Sequence, residues 1–179
     1  TLPAVVQAYR IPAHGTADYY AVDMLTQIMS QGESSRLNKR LVNKEQAAQF
    51  AGAFPFGMED PGLTITFGIV NDGVNPEDLE SMVDEEFEKV KNELISEKEY
   101  QKLQNQIEAA FVGSNSSVAG IAESLANYHM YYGDANLINK EIERYQKVTR
   151  EDIQRVAKKY FTKDNRVVLY YLPKEETAE

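Results

Sequence analysis

The chain has 179 residues, 42% of them hydrophobic and 26% charged, with 10 Gly, 6 Pro and no Cys. Collagen-like, disordered and low-complexity chains are excluded, no apolar run approaches the ~20 residues that cross a bilayer, and neither a disulfide nor Cys-ligated zinc can form. The 28 acidic side chains outnumber the 19 basic ones and leave a net charge of −9, which speaks against nucleic acid as a partner.

The length fits one domain over residues 1–179, since domains usually run to about 100–200 residues. The chain opens Thr1-Leu2-Pro3, without an initiator Met, a basic n-region or a signal-like apolar stretch. It reads as a fragment of a longer chain whose targeting segment is not visible. Cytoplasmic and periplasmic or cell-envelope locations both stay open.

In chain order, Ala4–Ile11 is a β-branched run closed by Pro12, which removes a donor and ends a strand. Asp18 is the expected N-cap of a helix over Tyr19–Ser30, where Tyr20, Met24, Leu25 and Ile28 share a face and Gly32 supplies the stop. A short helix starting at Ser34 or Ser35 carries Leu37, Leu41 and Val42. A hairpin follows. Phe50, Phe54 and Phe56 alternate in its first arm, and Leu63, Ile65, Phe67 and Ile69 in its second, with Thr64 and Thr66 facing away.

Asn75-Pro76 opens a helix with the stripe Leu79, Met82, Val83, Phe87, Val90 and Leu94. The capping box at Ser96–Glu99 opens the next, which turns Tyr100, Leu103, Ile107 and Phe111 inward and is broken at Gly113–Ser117. A further helix carries Val118, Ile121, Leu125 and Tyr132, and a short one spans about Leu137–Gln146. Thr149–Asp152 caps the last helix, with Ile153, Val156, Ala157 and Tyr160 inward. The final strand, Val167–Leu172, precedes an acidic tail. The expected fold is α+β: a two-layer sandwich in which helices cover the less polar face of a four-stranded, mainly antiparallel sheet.

Few residues carry obvious chemistry. A helical zinc site needs paired histidines, as in H-x-x-E-H, and the two histidines, His14 and His129, form no such string. His14 is expected in a solvent-exposed turn, and His129 partly buried on its helix. Ser34, Ser35 and Ser114–Ser117 lie outside any G-x-S-x-G and read as caps or breakers. The carboxylates Glu77, Asp78, Glu80, Asp84, Glu85, Glu86, Glu88 and Glu93 lie opposite an apolar stripe and read as a solvated face. The eleven tyrosines are expected mostly to pack with a wet hydroxyl. No catalytic, cofactor-binding or metal-ligating residue emerges.

The strings VVQAYRIPA (5–13), DYYAVDMLTQIMSQGESSRLNKRLVNKEQ (18–46), VTREDIQRVAKKYF (148–161) and RVVLYYLP (166–173) resemble a domain of the insulinase/pitrilysin zinc-peptidase family, the inverzincins. That resemblance implies an antiparallel sheet with helices packed on it, paired domains, and paired halves enclosing a chamber where an extended peptide adds to a sheet edge. In that family the zinc ligands come from H-x-x-E-H and a later Glu on one domain, so the resemblance is to a non-catalytic C-terminal domain of a zinc-bearing subunit. The domain facing the zinc often has an Arg and, seven residues on, a Tyr around a KEQ-like stretch. Here Lys44-Glu45-Gln46 is present, but Val42 and Gln49 occupy those positions, with Arg36, Arg40 and Phe50 out of register. No catalytic residue carries over.

The implied function is to help form the peptide chamber and dock the zinc domain, with zinc in the parent and none in this chain. The implied partners are the preceding zinc domain, a second peptidase half and peptide substrate, and an uncovered docking face would favour self-association into a homo-oligomer. The alternatives are a scaffold domain of an inactive member, similar to processing-peptidase or respiratory-core subunits, and a stand-alone dimerising α+β binding module.

Overall fold

The computed structural model describes residues 2–173; the acidic tail read from the sequence lies outside the described residues. Strands β1 (Ala4–Arg10), β2 (Ala48–Phe56), β3 (Leu63–Val70) and β4 (Arg166–Tyr171) form one antiparallel sheet in the order β2-β3-β1-β4. Helices α1 (Ala17–Ser30), α2 (Pro76–Asn92), α3 (Glu97–Ser114), α4 (Val118–Tyr132), α5 (Glu141–Gln146) and α6 (Arg150–Tyr160) complete the α+β sandwich. A π-helix at Asn38–Lys44 follows α1, and a 3-10 turn at Ala135–Asn139 takes the first half of the helix expected over 137–146. None of these helices is long and apolar enough to cross a membrane.

The helix starts are set by short polar side chains. Thr16, not Asp18, caps α1 by accepting from the Tyr19 N–H at 3.3 Å. Asp18 instead lies in the first turn and binds Arg155 at 2.7 Å, Lys159 at 2.9 Å and the Tyr160 hydroxyl at 2.7 Å, joining α1 to α6. At α6 the capping box closes in both directions, Asp152 N–H to Thr149 Oγ1 and Thr149 N–H to Asp152 Oδ2. At α3 only half of it forms. Ser96 Oγ accepts from the Glu99 N–H, but the Glu99 carboxylate is held by two hydrogen bonds from Arg36, at 2.9 and 2.8 Å. Gly32, at φ +78°, takes the left-handed turn after α1 that a residue with a Cβ rarely adopts.

The sidedness of the sheet reverses the sequence expectation. The helices cover the face that carries Val5, Gln7, Tyr9, Thr64, Thr66, Gly68 and Val70, the more polar of the two. The cause is steric. Helices α1 and α2 bring the large side chains, among them Met24, Leu25, Leu79 and Phe87, so the strands beneath must be low. A Cβ on Gly68 would sit 2.8 Å from Leu79 Cδ2, inside contact distance. Most polar groups beneath the helices are paired, although the Thr64 hydroxyl is buried without a partner. Gln7 Oε1 accepts from the Tyr9 and Thr66 hydroxyls, and Gln7 Nε2 donates to Asp84 of α2 at 3.1 Å.

Helix α4 departs furthest from its expected role. It buries no residue, and Val118, Ile121, Leu125, Met130 and Tyr131 are exposed.

The Asp18 cluster gives a pH-dependent term. Burial raises the Asp18 carboxyl, but the hydrogen bonds from Lys159, Tyr160 and Arg155 outweigh it and bring the pKa to about 2, against 3.8 for the free side chain. A carboxyl depressed on folding gives stability that is present above about pH 4 and lost as pH falls toward 2, because the unfolded chain binds the proton first. Arg155 and Lys159 are half exposed, so screening limits the term to about 1 kcal/mol. Asp18→Asn is expected to lower stability by that amount at pH 7 and to flatten the urea-midpoint profile between pH 4 and 2. An unchanged profile would show that the cluster contributes nothing.

Candidate functional site

The face of the sheet opposite the helices is the most distinctive surface of the molecule. Register places its residues in rows across all four strands: Phe50–Ile69–Ala4–Tyr171, Gly52–Phe67–Val6–Leu169 and Phe54–Ile65–Ala8–Val167. A further row, Phe56–Leu63–Arg10, closes one end of the face with an exposed cation. Phe67 anchors the patch, with Phe50 stacked on it at 5.3 Å and Phe54 set edge-on at 6.1 Å. Among the described residues no helix lies over this face, and Leu169 and Val167 are each 61% exposed. Monomeric proteins rarely leave so continuous an apolar surface to water. These three rows contain no hydroxyl but that of Tyr171 and no charge, and Arg10 stands only at the rim, so the arrangement offers burial against a partner rather than catalysis.

The histidines exchange the environments expected of them. His14 is half-buried, with its ring edge-on to Tyr19 at 4.4 Å and 5.4 Å from Tyr132, and burial lowers its pKa. His129 is exposed, because α4 turns no face to the core. Among the described residues no three His, Asp or Glu side chains converge to hold a metal ion, so the donor set present does not fit the zinc that the family resemblance implies for a parent protein.

The serines behave as structural groups. Ser117 caps α4 by accepting from the Gly120 N–H, and the Ser114 hydroxyl donates to the Phe111 carbonyl at the end of α3. Ser34 accepts from Lys102, and the Ser35 hydroxyl is buried without a partner.

The acidic face of α2 is not simply solvated. Glu80 and Asp84 grip Arg166 of β4, Glu85 and Glu86 grip Arg40 of the π-helix, and Glu86 is buried. The heptad-like stripe in the sequence could not show this, because both arginines arrive from distant segments. Arg36 and Arg40 are therefore held by Glu99 and by the α2 carboxylates. Of the two positions that match an Arg and a Tyr in the facing domain, Val42 packs against the core and Gln49 is exposed on β2. Lys44 and Glu45 pair with each other on the surface.

Residues 1–107 match the family model of the peptidase M16 inactive domain. The chain belongs to that family. The M16 inactive domain described here is 25% identical, over 169 residues, to the zinc protease PqqE of Helicobacter pylori, an alignment covering 94% of this chain and 38% of that protein. The chain thus spans well under half the length of that curated relative. Its fold matches the crystal structure of a protease from Helicobacter pylori with a TM-score of 0.89 at 24% identity, over 96% of this chain and 41% of that one. It also matches an inactive peptidase domain from Bordetella parapertussis with a TM-score of 0.87 at 22% identity, over 99% of this chain and 94% of that one.

Two features carried no signal in the sequence reading. The apolar strand residues were visible as an alternating pattern, but the pattern does not say which face meets the helices. The half-buried Asp23 and the buried Glu141 lie within amphipathic helices, and nothing in their spacing marks them.

Proposed function

We propose that this M16 inactive domain is one domain of a longer zinc metalloendopeptidase, contributes no catalytic or metal-binding side chain itself, and docks the zinc-bearing domain while forming a wall of the peptide chamber. The uncovered apolar face of the sheet supports this reading most directly. It is large, continuous and, but for Arg10 at its rim, uncharged, and the curated relative has more than half its length beyond the matched segment to supply a cover. The zinc domain of the same parent, and then the second peptidase half, are the partners this requires. Zinc belongs to the parent in this reading, as the name of the relative suggests.

The face is tested with the double variant Phe54→Glu/Leu169→Glu, two exposed positions on β2 and β4. Each buried carboxylate costs an interface about 2 kcal/mol or more, so with two of them docking should weaken roughly a thousandfold. In the parent protein the variant is expected to split a joint thermal transition into two and to abolish peptide cleavage while zinc content is unchanged. In the isolated chain it is expected to suppress self-association in sedimentation runs without lowering the unfolding midpoint. A parent whose domains stay coupled in the variant would exclude this face as the dock.

The isolated chain should neither retain stoichiometric zinc on metal analysis nor cleave a fluorogenic peptide. Tightly held zinc with chelator-sensitive turnover would overturn the reading. A whole parent that neither binds zinc nor cleaves peptides would instead be a scaffold.

A further inference from the structure

Between α1, α3 and the α4–α5 region lies a cleft of about 400 Å³ that the docking role does not use. Its walls include Phe111, Tyr128, Tyr145 and the ring of His14, and Glu141 of α5 stands among them. Glu141 is only 6% exposed. Its Oε1 accepts from the Tyr20 hydroxyl at 2.6 Å, whereas its Oε2 has no hydrogen-bond partner. The neighbouring cation, Arg144, keeps Nη1 3.6 Å from that oxygen and donates to Tyr20 instead, at 2.8 Å.

A second acid stands behind the wall. Asp23 Oδ2 accepts from the Tyr145 hydroxyl at 2.8 Å and from Gln27 Nε2 at 3.0 Å, both neutral donors. Among the described residues no cation pairs with Asp23, and burial pushes its carboxyl up. His14 adds no compensating charge, since burial lowers its pKa. Two acids thus stand beside a cleft walled by aromatic rings, and only Glu141 has a cation near it.

Rings and carboxylate favour the same ligand. Aromatic faces attract a cation, and an unsatisfied buried carboxylate oxygen accepts a charge-assisted hydrogen bond from one. Only one oxygen is free, so the two-pronged fork of a guanidinium has no matching edge, whereas an ammonium is a compact point charge with three donors. The cleft opens to water beside the exposed Ser114 and Gln31, which leaves room for an alkyl stem to trail out.

We propose that this cleft binds a primary alkylammonium group, seated between the rings of Phe111, Tyr128 and Tyr145 beside the Glu141 carboxylate. A lysine side chain on a peptide and a free alkylamine share that chemistry.

The chain is titrated with N-acetyl-lysine amide, n-butylammonium and N-acetyl-norleucine amide, while the ring resonances of His14 and Tyr128 are followed by NMR. The two ammonium probes are expected to shift these resonances saturably at millimolar concentration or below, and the tighter of the two identifies the source. The uncharged norleucine amide is expected to bind at least about tenfold more weakly. Glu141→Gln should cost the ammonium probes about tenfold in affinity. Ser114→Trp, at an exposed position by the mouth, should block them with Glu141 intact, which keeps the proposal testable if Glu141→Gln does not fold. Equal binding of norleucine and lysine amides, no saturable shift with either ammonium probe, or unchanged affinity in the folded variants would overturn it.

Discussion

Arg166→Ala is expected to destabilise the chain by about 3–5 kcal/mol, lowering the melting temperature by roughly 6–20 °C. The Arg166 side chain is 6% exposed, at the start of β4 and under α2. It donates to Asp84, to Glu80 and to the Tyr9 hydroxyl, the last at 3.1 Å. Asp84 also accepts from Gln7, whose carbonyl oxygen takes the Tyr9 and Thr66 hydroxyls. Removing the guanidinium leaves two carboxylates facing one another in a largely covered site, with the hydroxyl of Tyr9 short of a donor. Burial already pushes that phenol up to about 12, against the pull of Arg166.

The size of the loss comes from the orphaned acids rather than from the worth of the ion pair itself. A triple replacement, Arg166→Met with Asp84→Leu and Glu80→Leu, should therefore recover most of it. Urea unfolding of the three forms separates these terms. A single variant within 1 kcal/mol of the parent would mean that water reaches the carboxylates and that the network is not closed.

Phe87→Ala is expected to cost about 3–5 kcal/mol, through lost burial and the cavity left behind. Phe87 lies on the sheet-facing side of α2 and is 1% exposed. Its ring stacks on that of Phe161 at 4.6 Å, and both rings touch Tyr9, at 5.8 and 5.0 Å. Phe161 ends α6 and Tyr9 belongs to β1, so the removed ring joins three elements of widely separated sequence. Chemical denaturation should show a lower midpoint with unchanged slope. Phe87→Leu keeps most of the volume and should lose less than half as much. If Phe87→Ala were tolerated to within 1 kcal/mol, the neighbouring rings would have to close the gap. A domain stable by about 5–15 kcal/mol has little margin for both losses together. The two are also coupled, because Tyr9 touches both Phe87 and Arg166.

The two unfolding experiments and the docking experiment address different faces of one sheet. Arg166 and Phe87 hold the helices to its covered side. Phe54 and Leu169 lie on the uncovered side, where glutamate should leave the unfolding midpoint alone and weaken only association. A variant that moved both would show that the sides are not independent.

Helix and strand positions were legible in the sequence wherever the local signal is strong. Pro12 ends β1, Asn75-Pro76 begins α2, Thr149–Asp152 begins α6, and the alternation in 63–69 marks β3, because caps, prolines and periodicity act within a few residues. The similarity to zinc peptidases was legible too, in strings such as SSRL, which lies within the segment the family model matches and can be read irrespective of how the chain packs. Tertiary structure alone decided which side of the sheet the helices took. Alternation fixes two faces without ranking them, and the bulk of Leu79, Met24 and Phe87 left most large strand residues, though not Tyr9, on the far side. It also decided which charges were structural: Arg166 and Arg40 reach the α2 carboxylates across the fold, and Glu141 meets Tyr20 from 121 residues away. Such pairings depend on the path of the whole chain, and no local spacing encodes them.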